Sequence, residues 1–272
     1  TTLNSGDADF NPVIYQGDKL IFTSSRDMST GENNDSWTGD KYYDLYVANI
    51  KDVTSFSAPE LFKGPFNAAY NDGTLAFNKD YSEVYFTRCG SDDRKVDDYC
   101  GIYVSNYLPD GGWSEPVALP FFDDTMNIGT PCLSLDGNTL FFAATNPDGY
   151  GGADIYMSRR TESGWDAAYN AGQVINTSGN EVFPYFDSEG VMYFSSDKHP
   201  GLGGLDIFSA TWKNNKFSNI KNLEYPINSG ADDFGMILLD KKQFADSDTL
   251  NAGYFSSNRK GGMGDDDMYF FA

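Results

Sequence analysis

Three carboxylates in this 272-residue chain stand where acid chemistry could be done: Asp9, Glu181 and Asp232. Each follows a Ser-Gly step (Ser5-Gly6, Ser178-Gly179, Ser229-Gly230), and each precedes a Pro or Gly at Pro12, Pro184 or Gly235. Four cationic side chains, Arg26, Arg88, Lys198 and Arg259, recur just behind aromatic segments. Convergent carboxylates can hydrolyse a glycosidic bond when two stand at a defined separation. They can also hold a hard cation such as Ca²⁺ through oxygen, or pair with neighbouring cations as a structural ring. The lone histidine, His199, lies in a Lys-His-Pro-Gly turn and reads as an exposed loop residue. Without a Cys-His cluster there is no zinc site, and one turn histidine gives no basis for a nucleophilic triad. Gly201-Leu202-Gly203-Gly204 joins strand to strand, whereas a phosphate loop leads into a helix. Nothing calls for a cofactor.

The elements that must position these groups repeat along the chain. An aromatic strand ending in small residues recurs as Leu20-Ile21-Phe22-Thr23-Ser24-Ser25, Val84-Tyr85-Phe86-Thr87, Leu140-Phe141-Phe142-Ala143, Met192-Tyr193-Phe194-Ser195-Ser196 and Gly253-Tyr254-Phe255-Ser256-Ser257. After it comes an acid, an aliphatic and an aromatic: Asp44-Leu45-Tyr46, Asp154-Ile155-Tyr156, Asp206-Ile207-Phe208 and Asp267-Met268-Tyr269, with Gly101-Ile102-Tyr103 in the second repeat. The steps between these triplets are 57, 53, 52 and 61 residues. Each step holds four strand-like segments parted by turn residues, the signature of a propeller blade. The sequence therefore predicts an all-β, five-bladed propeller with four antiparallel strands per blade, occupying 1–272 as one domain. Thr1–Gly6 resembles the end of a fourth strand, as at Pro226–Gly230, so an N-terminal strand is expected to complete the last blade and close the ring.

Within that frame the recurring Asp44, Asp154, Asp206 and Asp267 read as structural, each accepting amides of the turn before it. Asp9, Glu181 and Asp232 fall at the heads of innermost strands. They are expected to gather at the channel mouth with Arg26, Arg88, Lys198 and Arg259, either as blade-to-blade ion pairs or as a funnel for a partner or ligand.

Cys89 ends the second strand of blade two and Cys100 begins the third. As cross-strand neighbours they can form a disulfide, which places the chain in an oxidising compartment. Cys132 reads as a buried free thiol acting as a small hydrophobe. Formal net charge is −21, from 40 acidic and 19 basic residues. Such a surface repels phosphate backbones and anionic headgroups, which argues against nucleic-acid binding and membrane adsorption. No apolar run is long enough to span a bilayer. Thr1 is not an initiator methionine, so the chain reads as a piece of a larger protein.

The string Phe194-Ser195-Ser196-Asp197-Lys198 followed by Gly201–Phe208, with its near-copy Phe255–Asp265, resembles the propeller repeats of the TolB and WD-type families. Such repeats accompany OmpA-like peptidoglycan-binding domains, and the whole pattern most resembles the propeller of PorE-type lipoproteins of the type IX secretion machinery. That resemblance implies a periplasmic, outer-membrane-associated scaffold whose partners are envelope or secretion-system proteins, engaged in part through an extended peptide at the channel mouth.

The expected function is non-enzymatic protein interaction, with recognition on irregular loops at Asp27–Tyr43, Gly90–Tyr99 and Asp240–Thr249. Two alternatives remain. Five-bladed propellers host glycoside hydrolysis and carbohydrate binding, for which Asp9, Glu181 and Asp232 would supply the acids. The channel could otherwise bind a metal or small ligand, with Gly264–Asp267 and Asp92-Asp93 as acidic loops lacking calcium-loop spacing.

Overall fold

The computed structural model describes residues 2–26, 42–68, 70–90, 99–121, 126–240 and 251–272. The three loops expected to carry recognition lie almost wholly outside these residues, as does Asp92-Asp93. Every regular element described is a strand, and the strands form five antiparallel sheets arranged as propeller blades.

Blade one comprises β1 (Asp9–Tyr15), β2 (Lys19–Ser24), β3 (Asp44–Asp52), and an outer strand split into β4 (Ser55–Phe56) and β5 (Glu60–Leu61). Blade two is β6 (Asn71–Phe77), β7 (Glu83–Cys89), β8 (Cys100–Asn106) and β9 (Val117–Ala118). Blade three is β10 (Ile128–Leu133), β11 (Thr139–Thr145), β12 (Ala153–Thr161), β13 (Gly164–Trp165) and β14 (Tyr169–Asn170). Blade four is β15 (Glu181–Phe186), β16 (Val191–Ser196), β17 (Asp206–Lys213) and β18 (Lys216–Asn222). Blade five is β19 (Asp233–Leu238), β20 (Gly253–Ser257) and β21 (Asp267–Phe271).

The second strand of each blade is an unbroken apolar run because its two faces serve two seams. In β2, Leu20 and Phe22 pack with Ile237, Tyr254 and Met268 of blade five. Ile21, between them, packs with Phe66, Val84 and Phe86 of blade two. Side chains alternate by two, so a strand buried on both sides has no polar face to show. The remaining core clusters fill the other seams in the same way.

Closure differs in detail from the expected strand. Among the described residues blade five has three ladder strands, and residues 2–8 add no fourth. The N-terminal segment instead docks on β21 through one side chain: Asn4 Nδ2 donates to the Met268 carbonyl and Asn4 Oδ1 accepts the Met268 amide, both at 3.1 Å. Leu3 is buried beside it in the seam between blades five and one.

Candidate functional site

At the head of β1, Asp9 is fully buried and held on two sides. Its Oδ2 accepts the Ser5 amide at 2.5 Å and the Ser5 hydroxyl at 2.7 Å. Its Oδ1 pairs with Arg26, whose Nη2 also donates to the Leu3 carbonyl at 2.6 Å. The guanidinium lies over the rings of Phe22 and Tyr46, 5.0 Å from each. Acid, arginine and incoming linker thus form one latch.

Blade five repeats it with Asp233, Arg259 and the Ile227 carbonyl, with Arg259 Nη2 at 2.5 Å from Asp233 Oδ1 and 2.6 Å from Ile227. Blade two repeats it with Asp72, Arg88 and Pro65. Burial, only partly offset by Arg88 bound through two nitrogens, pushes the Asp72 carboxyl up to about 7. Asp232, chosen from sequence, belongs one position earlier and points its bonds elsewhere, to the amide of Leu205 and the side chain of Asn258. A one-residue slip sends a strand residue to the opposite face, so Asp233 is the carboxylate in register with Asp9. Asp72 had escaped the sequence reading altogether.

Blade four solves the same problem without arginine. Glu181 is fully buried and takes the Thr177 amide, the Thr177 hydroxyl and the Ser196 hydroxyl at 2.6–2.7 Å. Lys198, at the arginine's place in the repeat, is exposed. His199 occupies the aromatic slot instead, 5.7 Å from the Phe194 ring and 5.1 Å from Phe208, with Nε2 2.7 Å from the Ile175 carbonyl. It lies in the loop after β16, as its turn suggests, but is half-buried against the seam rather than exposed. Blade three has Ile128 at the strand head, which offers no carboxylate for a latch.

The four structural aspartates sit at the heads of the third strands, all buried. Asp154 accepts the Tyr150 amide, Asp206 those of Leu202 and Gly203, and Asp267 those of Met263 and Gly264. An asparagine from the linker clamps the residue after each aspartate: Asn67 on Leu45, Asn176 on Ile155, Asn228 on Ile207 and Asn4 on Met268.

The channel is lined by the five inner strands, and the latch acids are not among its walls. Each inner strand bulges once, at a residue with positive φ: Asn11 (52°), Thr74 (34°), Thr130 (50°), Phe183 (54°) and Gly235 (59°). The first three bulge amides bond a hydroxyl of the preceding blade, Asn11 to Ser256, Thr74 to Thr23 and Thr130 to Thr87. Ala143 has no hydroxyl, and Phe183 turns to Thr130 instead. This explains the small hydroxyl residues that close the aromatic strands.

On the face of the β1–β2 turn the channel widens to a cavity of about 510 Å³, bounded by Pro12, Pro131, Pro184, Leu75 and Met236 among others. Cys132 lies in its wall, where burial pushes the thiol up to about 12. A second recess of about 270 Å³ opens on the opposite face against blades one to three, beside the Cys89–Cys100 disulfide. No Asp, Glu or His is found among the described residues lining either space. Nor do three His, Cys, Asp or Glu side chains come together as a metal would need, among the described residues.

No family model and no curated protein matches the chain. Solved structures do match it in fold. Putative TolB from Agrobacterium tumefaciens is 13% identical with a TM-score of 0.54, over 94% of this chain and 72% of that one. A thermostable family-43 glycoside hydrolase is 10% identical with a TM-score of 0.56, over 97% and 88%. An α-L-arabinofuranosidase from Podospora anserina, solved with cellotriose, is 11% identical with a TM-score of 0.55, over 98% and 91%. At such identities the likeness is one of fold: a β-propeller architecture shared by TolB and by glycoside hydrolases alike.

Proposed function

We propose that this chain is a non-enzymatic protein-interaction module of the bacterial periplasm, serving an outer-membrane-associated secretion or envelope assembly. The observation that carries the reading is the fate of the acids. Of the carboxylates that could have served hydrolysis, Asp9 and Glu181 are buried and saturated with hydrogen bonds inside the seams, and the half-buried Asp232 is bonded to the Leu205 amide and the Asn258 side chain. Glycoside hydrolysis needs carboxylates facing a shared space, and the described walls of both channel spaces offer none. A rigid ring that spends its polar groups on holding blades together suits presentation of surfaces to partners. The Cys89–Cys100 bond supports an oxidising compartment, and no helix among the described residues is long and apolar enough to cross a membrane. The likeness to TolB and the repeat strings support the envelope setting.

The test is crosslinking capture from an envelope extract, with the captured proteins identified by mass spectrometry. An unrelated propeller of similar charge serves as control, and an aryl-glycoside panel is run in parallel. Enrichment of one envelope or secretion protein without glycoside turnover supports the reading. No enrichment over the control, or turnover by the purified chain, overturns it.

A further inference from the structure

The inner strands differ in bulk at the residue that follows the latch acid, or Ile128 in blade three. It is Phe10 in blade one, Gly73 in blade two, Gly129 in blade three, Val182 in blade four and Phe234 in blade five, aligned by their partners Thr23, Thr87, Ala143, Ser195 and Ser256 on the second strands. Gly73 and Gly129 also meet the second strand of the preceding blade. A Cβ on Gly73 would lie 3.0 Å from the Thr23 methyl, and one on Gly129 3.1 Å from the Thr87 methyl. By the same register Phe10 faces Ser256, Val182 faces Ala143 and Phe234 faces Ser195. Around the ring, glycine stands against threonine while larger residues stand against serine or alanine. The two glycines are therefore fitted to their neighbours across the seam.

Their consequence is the 270 Å³ recess, walled by Gly73, Gly129, Phe10, Tyr43, Thr130 and the disulfide. The rings of Phe10 and Tyr43 meet edge to face at 5.3 Å along one side. Elsewhere in the same ring this radial position is filled by Phe10, Val182 and Phe234, and the two phenylalanines set the missing volume at that of a phenyl ring. At the rim Asn127 Oδ1 accepts the Cys100 amide at 2.9 Å, and its amide N–H groups can donate to a carbonyl. Among the described residues the exposed walls are almost wholly apolar, and with Asn127 as a donor at the rim they describe a site for an apolar group carried on a peptide.

We propose that this recess is a binding site for one Phe-sized apolar side chain of a partner polypeptide, with Asn127 holding the adjoining backbone carbonyl. The proposal rests on the interaction-module reading and gives it an anchor point. A side chain buried in a desolvated pocket is the usual carrier of interface energy.

The ring itself supplies the blocking variants. Gly129→Phe with Thr87→Ser copies the Phe234–Ser195 pairing of blade five and fills the recess without crowding the seam. Gly73→Val with Thr23→Ala copies Val182–Ala143 and serves if the first does not fold. The probe is N-acetyl-phenylalaninamide, with N-acetyl-glutaminamide and toluene as comparisons, followed by NMR of the threonine and alanine methyls. Shifts confined to Thr130, Ala143 and Thr87 with the phenylalanine probe, and affinity at least about tenfold weaker in the filled variant, are expected. No shift at these methyls, equal binding by the filled variant, or response to toluene alone overturns the proposal. The filled variant also enters the capture experiment. A partner taken equally by both forms defeats the recess and leaves the interaction reading standing, whereas an absence of any partner for wild type defeats that reading instead.

Discussion

His199 Nε2 lies 2.7 Å from the carbonyl oxygen of Ile175, the bond that an arginine makes to the corresponding linker in blades one, two and five. The imidazole enters the slot from one residue further along the turn, and this displaces Lys198 to solvent. Removing the ring with His199→Ala should leave the Ile175 carbonyl without its donor and cost about 1–3 kcal/mol, measured by urea unfolding. Adding Lys198→Arg to that variant should recover much of the loss. The introduced guanidinium would then branch from a position two residues after Ser196, as Arg26 does after Ser24 and Arg259 after Ser257. A double variant no more stable than His199→Ala would show that the slots are not equivalent.

The bidentate contact of Arg88 with Asp72 is a buried pair, and its two halves should fail unequally. Arg88→Met leaves the buried Asp72 carboxyl without its partner, free to be relieved only by taking up a proton, and should cost about 3–5 kcal/mol above pH 7. Asp72→Leu combined with Arg88→Met removes both charges and should cost less than that single change. Equilibrium unfolding of the three proteins decides it, and equal losses would mean that Asp72 finds another partner.

These seams show what the sequence could and could not reveal. The blade count was legible because burial on both faces forces an aromatic run in every second strand, as in Leu20-Ile21-Phe22. The latch was half legible: the true signal is an asparagine five residues before the acid, at Asn4 and Asp9, Asn67 and Asp72, Asn176 and Glu181, Asn228 and Asp233. Ser-Gly was the weaker ruler. It missed Asp72, which has no such step, and it could not choose between adjacent Asp232 and Asp233. His199 was hidden because it reaches its slot from a shifted position. The recess could not be read at all, since Gly73 and Thr23 are 50 residues apart and meet only once the inter-blade register is known.

Asp266 carries a pH signature outside the latches. Burial first, then the charges of Asp232, Asp265 and Asp267, pushes its carboxyl up to about 6. In the unfolded chain it titrates near 3.9. A folded value above the unfolded one means that its stabilising contribution is fully present below about pH 4 and is lost as pH rises through about 6. Asp266→Asn should therefore gain stability over wild type at pH 8 and little at pH 4. Urea midpoints at the two pH values check this, and a gain of equal size at both would assign the effect to packing.

The cross-strand pair Cys89–Cys100, with Cα atoms 3.9 Å apart, closes a short loop on the rim of the recess. Replacing both with serine should cost about 3 kcal/mol by the loop-entropy estimate. Reduction of the wild type should reproduce the change, and reduction of the variant should do nothing. A wild type whose melting is unmoved by reductant would mean that the bond adds nothing to the stability of the fold.

Asn4 is the clamp of the seam that closes the ring. The other clamps, such as Asn228 on Ile207, sit on linkers continuous with the preceding blade, and Asn228 is fully buried with a further bond to Asn222. Asn4 joins elements 264 residues apart in sequence, and its two bonds to Met268 are longer, at 3.1 Å. A contact between chain ends constrains the most entropy when made and releases the most when lost, so the seam between blades five and one should be the first to open. Asn4→Ala should cost about 1–2 kcal/mol and act mainly on unfolding, as expected of a contact made late. Hydrogen exchange locates the effect: the Met268 amide should lose protection in Asn4→Ala while the Ile155 amide, clamped by Asn176 in blade three, keeps its own. Equal loss at both amides would mean that the ring opens globally, and the closing clamp would then be no weaker than the rest.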